Sequence, residues 1–347
     1  FKVRNNDCDY RFRANTAFVH LTGMNAGDIT PESVLVLNPT SGGHEALLYI
    51  HPRNNRNEET FYRDRRHGEF WVGPRLSIAD AENIYGIKVC DVKELQSLFD
   101  QKVESIALRG EDSFVDQHIA VHARDHELII ALSELRLIKD GFEIKQMRKA
   151  VDATVKGFAD IVKALPQAVG HPRGERVIDA AFYGRARVEG NELGYDTIAA
   201  SGAHACVLHW IRNDGVVKSG DLILVDAGVE VESHYTADIT RTLPVNGKFN
   251  EAQRKIYELV LAAQSAGIAA VKLDVEPGYP FLHRLRSSAN QPIADLFFKV
   301  GQEVQELEKY QPDIKQHAGL MKGHLPFLGE LMLGHLRYGT QGKNNVE

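Results

Sequence analysis

The spacing of apolar residues in the N-terminal part of the chain is that of short, mixed elements. Runs with strand-like alternation at 17–21 and 33–37 are interspersed with helix-like segments such as 77–85. Apolar residues at every second position are typical of half-buried strands, and a recurrence every three or four positions is typical of amphipathic helices. This order predicts a compact α/β unit.

A polar, histidine-rich stretch without clear periodicity, at 111–125, separates this unit from the rest of the chain. We therefore predict a first domain at 1–120 and a second domain at 138–347. In the second domain the periodicity is helical, then strand-like, then helical again. The predicted helices are 142–165, which Pro166 ends, 175–189 and 251–271; the predicted strands are 196–200, 206–210, 221–231 and 235–243.

The first two of these helices each carry apolar residues at steps of three and four, and we expect those positions to face the core. In the first helix they are Ile144, Met147, Val151, Val155, Phe158, Ile161 and Val162. In the second they are Val177, Ala181, Gly184 and Val188.

Two aspartates, Asp226 and Asp238, lie in the predicted strands 221–231 and 235–243. If the chain reverses near Glu232, Asp226 lies directly opposite Asp238 on an antiparallel pair. Directly opposed like charges are destabilising, so a shared proton, an arginine or metal ions must neutralise them. Two divalent cations held by bridging carboxylates are a recurring arrangement in hydrolases.

A structural explanation of the same residues stays open. Asp226 could cap a turn at Ala227 and Gly228, while Asp238 pairs with Arg241 on a solvent face. The apolar run 222–225 favours the ligand hypothesis, because it predicts a strand buried on both faces that would draw Asp226 inward. An unpaired buried carboxylate would cost several kcal/mol.

Composition excludes some classes of function. The net charge is −6, from 41 basic and 47 acidic residues, so a nucleic-acid partner is not expected. Three cysteines far apart match neither a disulfide framework nor a thiolate metal site, which indicates a reducing, cytoplasmic location. No apolar run approaches the roughly 20 residues that cross a bilayer, and we expect no membrane association.

The segments 209–214, 219–228 and 235–249 together resemble the aminopeptidase P branch of the creatinase and methionine aminopeptidase superfamily, which has the pita-bread fold. Upstream, 68–76 is similar to the N-terminal domain of that branch. The resemblance extends to about residue 272. It implies an α+β protein with an N-terminal α/β domain followed by a pita-bread domain.

The resemblance also implies a function. It is that of a Xaa-Pro aminopeptidase, which removes the first residue of a peptide with proline second by attack of a hydroxide that bridges two divalent ions, most often Mn²⁺. Asp226 and Asp238 match metal ligands, and His209 matches a catalytic histidine at the substrate site. Trp71 matches a residue that can reach a neighbouring subunit, which implies a homo-oligomer. His204 is left unassigned.

The sequence beyond about residue 273 departs from the family pattern. The expected series is a histidine, a Glu-Pro-Gly-like segment and a final glutamate; here 276–278 comes too early, and we interpret it as a loop. We therefore expect a pita-bread domain that is incomplete at its C-terminus. The weak candidates for the remaining ligands are His317, His324, His335 and Glu330. The alternatives are a non-catalytic pita-bread binding module and a prolidase-like dipeptidase.

Overall fold

The structure is a computed structural model that describes residues 3–6, 8–25 and 27–270, with Gln302, Gln305, Glu306 and Lys309. It divides into two compact units, Phe1–Lys248 and Phe249–Glu347. In the first unit the helices are α1 (Thr16–Thr22), α2 (Glu59–Arg63), α3 (Glu69–Val72), α4 (Ile78–Tyr85), α5 (Leu95–Phe99), α6 (Ser113–His118), α7 (Asp125–Leu135), α8 (Gly141–Ala168) and α9 (Gly174–Glu189). Its strands are β1 (Val34–Thr40), β2 (Gly43–Ile50), β3 (Lys88–Asp91), β4 (Glu192–Leu193), β5 (Ile198–Ser201), β6 (Leu222–Ala227), β7 (Val229–Glu230) and β8 (Ile239–Pro244). In the second unit the described residues include α10 (Glu251–Ala270).

The N-terminal part contains a three-stranded sheet in the order β1-β2-β3. β1 and β2 form an antiparallel hairpin, and β3 runs parallel to β2 after α4. Leu48 and Ala81, both fully buried, lie in the core between this sheet and the helices. The α/β character predicted for this part is confirmed.

The predicted strand at 17–21 is wrong, since these residues belong to α1. The Asn15 side chain accepts a hydrogen bond from the Ala17 N–H at 2.8 Å and caps the helix, and Gly23 ends it with a φ of 68°. A side-chain cap and a left-handed glycine eight residues later are helix signals that outweigh a short apolar alternation.

Helices α8 and α9 form one layer and pack on a three-stranded antiparallel sheet in the order β5-β6-β8. The core between them includes Ile161, Phe182, Ile223 and Val225, all fully buried. Pro166 does not end α8, which continues to Ala168. Burial of Leu165 and Ala168 stabilises this last turn although proline cannot donate a hydrogen bond there.

Most positions of both predicted helix faces are wrong, although Phe158 and Val177 pack against the core. In α8 the residues that face the core are mainly small, and Ile161 is the only large one among the predicted set that is fully buried; Ile144, Met147, Val151, Val155 and Val162 are exposed. In α9 the buried residues are Gly174, Glu175, Ile178, Phe182 and Ala186, whereas Val188 is 79% exposed. The reason is close helix packing: a Cβ on Gly157 would lie 2.5 Å from the Phe182 ring, so only a small residue fits there.

Two strand predictions also need correction. The stretch 206–210 is not a strand, because a 3₁₀ turn at Gly202–Cys206 leads into irregular backbone. The run 222–225 is not buried on both faces. Along β6, Ile223, Val225 and Ala227 are buried against the helices, while Leu222, Leu224 and Asp226 alternate with them on a half-buried face. Asp226 therefore points away from the helix layer.

An N-terminal segment lies across the edge of the second domain. Arg11 donates to Glu192 in β4 at 2.6 Å, and Arg13 donates to Glu230 in β7 at 2.6 Å. Burial would raise the pKa of Glu230, but hydrogen bonds from His234 and the charge of Arg13 lower it below its usual range. A salt bridge to this buried, ionised carboxylate ties the N-terminal segment to the β4-β7 ladder. Within the described residues, no helix combines the length and apolar character needed to cross a membrane.

Asp125, at the start of α7, joins this helix to the segment before it. Its carboxylate accepts hydrogen bonds from the Ala107 N–H at 2.9 Å, from Arg109 Nε at 2.8 Å and from the His122 N–H at 3.1 Å. These contacts lower the pKa of Asp125 to about 2. The ionised carboxylate therefore stabilises the folded state.

We predict that the Asp125→Asn variant is less stable than the wild type at neutral pH, and that the difference shrinks in acid. The folded pKa of about 2 lies below the ordinary value of 3.8, so this stabilisation is present above pH 3.8 and is lost as the pH falls towards 2. Urea unfolding at about pH 6 and about pH 3 measures it. Glu127→Gln is the control, because the Glu127 carboxylate and Arg124 form an exposed ion pair at the start of the same helix. This variant should show no such trend. A difference independent of pH would contradict the assignment.

We also predict that Gly228→Ala disrupts the contact between β6 and the chain before β8. A Cβ at this position would lie 1.7 Å from the Ala237 carbonyl oxygen, so the backbone must move. We expect a loss of at least about 2 kcal/mol in the free energy of unfolding. Gly184→Ala, on the exposed face of α9 with nothing within 4 Å, is the control and should be stabilising by about 0.5–1 kcal/mol. Equal stability of the two variants would refute the steric argument.

Candidate metal and substrate site

The sequence predicts that the two aspartates lie directly opposite each other. In the structure they do not, but they share one face of the sheet. Asp226 pairs with Thr240 in β8, and Ala227 pairs with Ile239, so the reversal is centred one residue later than predicted. This shift moves the partner of Asp226 by two positions. Because side chains alternate with a period of two, Asp238 stays on the same face as Thr240 and lies diagonally across from Asp226.

Tyr195 joins the two carboxylates. Its hydroxyl contacts Asp226 Oδ1 in a short hydrogen bond and Asp238 Oδ1 at 3.0 Å. Burial raises the pKa of the Tyr195 hydroxyl, and the hydrogen bond to Asp226 and the charges of both aspartates raise it further. The hydroxyl therefore keeps its proton, which is shared between two acceptors.

In the described part of the chain, the two aspartates lack a compensating cationic side chain. Among the described residues, no lysine, arginine or histidine forms an ion pair with either carboxylate. Arg241 instead donates to the Thr240 carbonyl at 2.7 Å, so it does not pair with Asp238. Gly228 and Ala227 do not form the turn that Asp226 would cap, since β6 continues almost directly into β7. The structural explanation left open by the sequence is therefore not supported.

This environment fits a divalent cation. Two carboxylates converge on one hydroxyl, and carboxylate oxygen is a donor that Mn²⁺, Mg²⁺ and Zn²⁺ all accept. Within the described part of the chain, no third histidine, cysteine, aspartate or glutamate brings a ligand atom close to this pair. Asp226 and Asp238 are thus the two carboxylates that this part of the chain offers to a cation at this position.

Glu175 organises the loop that carries His209. This fully buried carboxylate accepts four hydrogen bonds: from the N–H groups of Ser201 at 2.8 Å and Gly215 at 2.7 Å, and from His204 Nδ1 and Trp210 Nε1, each at 2.8 Å. The ring of His204 stacks on that of Trp210 with centroids 3.8 Å apart. One carboxylate in α9 therefore holds both ends of the loop, at Ser201 and Gly215, and two side chains between them.

The structure assigns the two loop histidines different positions. His204, which the sequence leaves unassigned, is a structural partner of Glu175. His209 is exposed, and no hydrogen bond or ion pair joins its side chain to Asp226 or Asp238 in the described structure. His209 lies one residue before Trp210, so the hydrogen bond between Trp210 and Glu175 limits the positions available to the His209 side chain.

The remaining candidates lie apart from this site or outside the described residues. Trp71 is half exposed in α3, where its Nε1 donates to the Tyr62 carbonyl at 2.7 Å. The segment 276–278 and the four weak candidates lie outside the described residues; these four are His317, His324, His335 and Glu330.

Sequence reasoning missed Tyr195 and Glu175. Glu175 carried a usable signal, because it lies on the same helical face as Ile178, Phe182 and Ala186, and a charge on an apolar face indicates a buried, hydrogen-bonded group. Tyr195 had no comparable signal. Its contact with the aspartates joins positions 31 and 43 residues apart, which only the folded sheet brings together.

Comparisons with known proteins agree with this arrangement. Residues 145–312 match the model of metallopeptidase family M24, and residues 1–107 match the aminopeptidase P N-terminal domain. The chain is 48% identical over 275 residues to Xaa-Pro aminopeptidase 1 of Streptomyces coelicolor, covering 78% of this chain and 55% of that protein. It is 36% identical to the Xaa-Pro aminopeptidase of Haemophilus influenzae, covering 77% of this chain and 60% of that protein. The chain thus spans little more than half the length of these relatives.

Solved structures show the same fold. Zinc-substituted Escherichia coli aminopeptidase P in complex with product matches with a TM-score of 0.63 at 27% identity, covering 77% of this chain and 61% of that chain. Proline aminopeptidase P II from Yersinia pestis matches with a TM-score of 0.62 at 27% identity, covering 76% and 61%. The predicted order of an N-terminal α/β domain and a pita-bread domain is confirmed. The chain belongs to metallopeptidase family M24, a family of metal-dependent enzymes, in its aminopeptidase P branch.

Proposed function

We propose that this chain provides the first domain and part of the catalytic domain of a Xaa-Pro aminopeptidase. The observation that carries the proposal is the pair of aspartates on one sheet face, which meet at Tyr195 without an ion pair to any described cationic side chain. Relatives named Xaa-Pro aminopeptidases and the match to an M24 family model support it. The substrate would be a peptide with proline second.

Asp226 and Asp238 would hold the metal in this proposal. Two divalent ions, with Mn²⁺ as the expected metal, would supply Lewis acidity and an activated water. The tyrosine hydroxyl would stay protonated and orient one oxygen of each carboxylate, leaving the second oxygen of each for coordination. His209 would donate an N–H to the carbonyl oxygen of the scissile bond, where negative charge develops.

The bond before proline carries no N–H, so the enzyme cannot select it by accepting a hydrogen bond from that amide. Selection would rest on the shape of the pocket around the proline ring. We further propose domains at 1–120 and 138–347, a homo-oligomer in which Trp71 approaches the site of a neighbouring subunit, and a cytoplasmic location. The exposed position of Trp71 supports the second of these.

The test is hydrolysis of matched peptides with proline or alanine second, after removal of metal and addition of Mn²⁺, Zn²⁺ or Mg²⁺. We expect release of the first residue from the proline peptide only, with the highest rate in Mn²⁺. Asp226→Asn and Asp238→Asn should each lower kcat/KM by at least about 100-fold, since each removes a charged ligand. Glu232→Gln, an exposed carboxylate on the same hairpin, is the control. Metal-independent cleavage, or unaltered activity in both aspartate variants, would refute the proposal.

We also predict that Glu175→Gln impairs both stability and catalysis. The amide would present an NH₂ group to donors that now face carboxylate oxygens, which should cost about 2–4 kcal/mol in the free energy of unfolding. Displacement of the His209 loop should lower kcat/KM about 10–100-fold at a temperature where the variant is fully folded.

Glu189→Gln on the same helix is the matched control, because its pairs with Lys156 and Arg185 lie near the surface. It should change either quantity little. Loss of stability without loss of activity in Glu175→Gln would separate the loop from catalysis and contradict the role proposed for His209.

A further inference from the structure

A second group of metal-ligand side chains lies in the N-terminal domain, away from the aspartate pair. Glu32, His51 and His67 place one carboxylate oxygen and two imidazole nitrogens within 4.8 Å of one another, and within the described residues no other set of three or more such side chains does so. His51 Nε2 lies 3.0 Å from Glu32 Oε2, and His67 Nε2 lies 3.8 Å from the same oxygen.

Three separate segments contribute these residues. Glu32 precedes β1, His51 follows the last residue of β2, and His67 lies between α2 and α3. Glu32 has a φ of 68°, a left-handed conformation that is unfavourable for a non-glycine residue. The fold therefore holds its carboxylate towards the histidines despite backbone strain.

The His67 loop is organised before any ion binds. Asp64 Oδ1 accepts the backbone N–H groups of Arg66 and His67, each at 2.9 Å, and Asp64 Oδ2 lies 3.2 Å from His67 Nδ1. A carboxylate on Nδ1 favours the tautomer in which that nitrogen carries the proton and Nε2 is the coordinating atom.

His51 is held beside His67, because the two imidazole rings stack with centroids 4.1 Å apart. The nearby guanidinium of Arg75 is neutralised by the buried carboxylate of Glu69 at 3.2 Å, which leaves Glu32 and Asp64 to balance a dication.

We infer that Glu32, His51 and His67 form a binding site for a borderline divalent cation such as Zn²⁺, separate from the ions held by Asp226 and Asp238. Two imidazoles and one carboxylate are a ligand set that zinc accepts, with water completing the coordination. Ligand bonds of about 2.0–2.1 Å place ligand atoms roughly 3.3 Å apart, so the three ligand atoms, which lie within 4.8 Å of one another, would move closer together when the ion binds.

The site connects the start of β1, the end of β2 and the loop that leads into α3. A cation bound there would link these three segments and restrain the entry into α3, the helix that carries Trp71. Glu32 is about half exposed, with 48% of its side-chain surface accessible, so the ion can enter from solvent on that side. The bound ion would therefore have a structural role in the first domain.

The experiment measures bound Zn²⁺ by equilibrium dialysis and elemental analysis in the D226N/D238N variant of the whole chain. This background removes the two carboxylates of the other site, so the outcome does not depend on the proposed peptidase activity. We expect about one Zn²⁺ per chain to remain and to raise the Tm. Adding His51→Ala, His67→Ala or Glu32→Gln should each weaken Zn²⁺ binding by at least tenfold, and Asp64→Asn by about 10–100-fold.

His44→Ala, an exposed histidine in the same domain, is the matched control and should bind Zn²⁺ like the background. Glu32→Gln changes a half-exposed side chain without loss of volume, so it tests the site even if a histidine variant fails to fold. The inference is overturned if the D226N/D238N background binds no Zn²⁺, or if Glu32→Gln and His44→Ala bind it equally well.

Discussion

Electrostatic repulsion between Asp226 and Asp238 is the constraint around which the second domain is arranged. The β6-β8 register puts both carboxylates on one face, and the absence of a Cβ at Gly228 allows the chain to pass within contact of the Ala237 carbonyl. Tyr195 offers a single proton to two acceptors, which lessens the repulsion without removing it. Helix packing on the opposite face of β6 supplies the stability that holds the two charges together.

A second carboxylate, Glu175, links that packing to the loop beside the site. Its side chain lies on the core face of α9, in line with Ile178 and Phe182, and so occupies a position where an uncompensated charge would be very unfavourable. Four donors from one loop compensate it. The same interaction that permits burial of the charge therefore orders the backbone on both sides of His209, which connects core packing directly to the candidate chemistry.

The N-terminal part of the chain also forms ion pairs with the second domain. Arg11 and Arg13 pair with carboxylates at the β4-β7 ladder, so the first residues of the chain stabilise the strand pair next to the aspartates. On its other side, the segment between β2 and α4 is held by carboxylates that bind backbone N–H groups, with Asp64 and Glu69 as the main acceptors. In both domains a carboxylate that accepts backbone N–H groups holds a loop in place.

By itself, the sequence determined the class of each long element, the family and the placement of two aspartates on one face of a strand pair. Periodicity, glycine placement and a local motif are properties of neighbouring residues, so they can be recognised without the fold. The sequence predicted α4 and α9 closely and identified Asp226 and Asp238 from a segment of 18 residues. Tertiary structure decided what depends on distant partners. The buried face of α8 follows from the fit of Gly157 against Phe182, the register of the aspartates from the pairing of β6 with β8, and the structural role of His204 from Glu175, 29 residues before it. Tyr195 belongs to the same class: no local pattern marks it, because the interaction that defines it exists only when the sheet has formed.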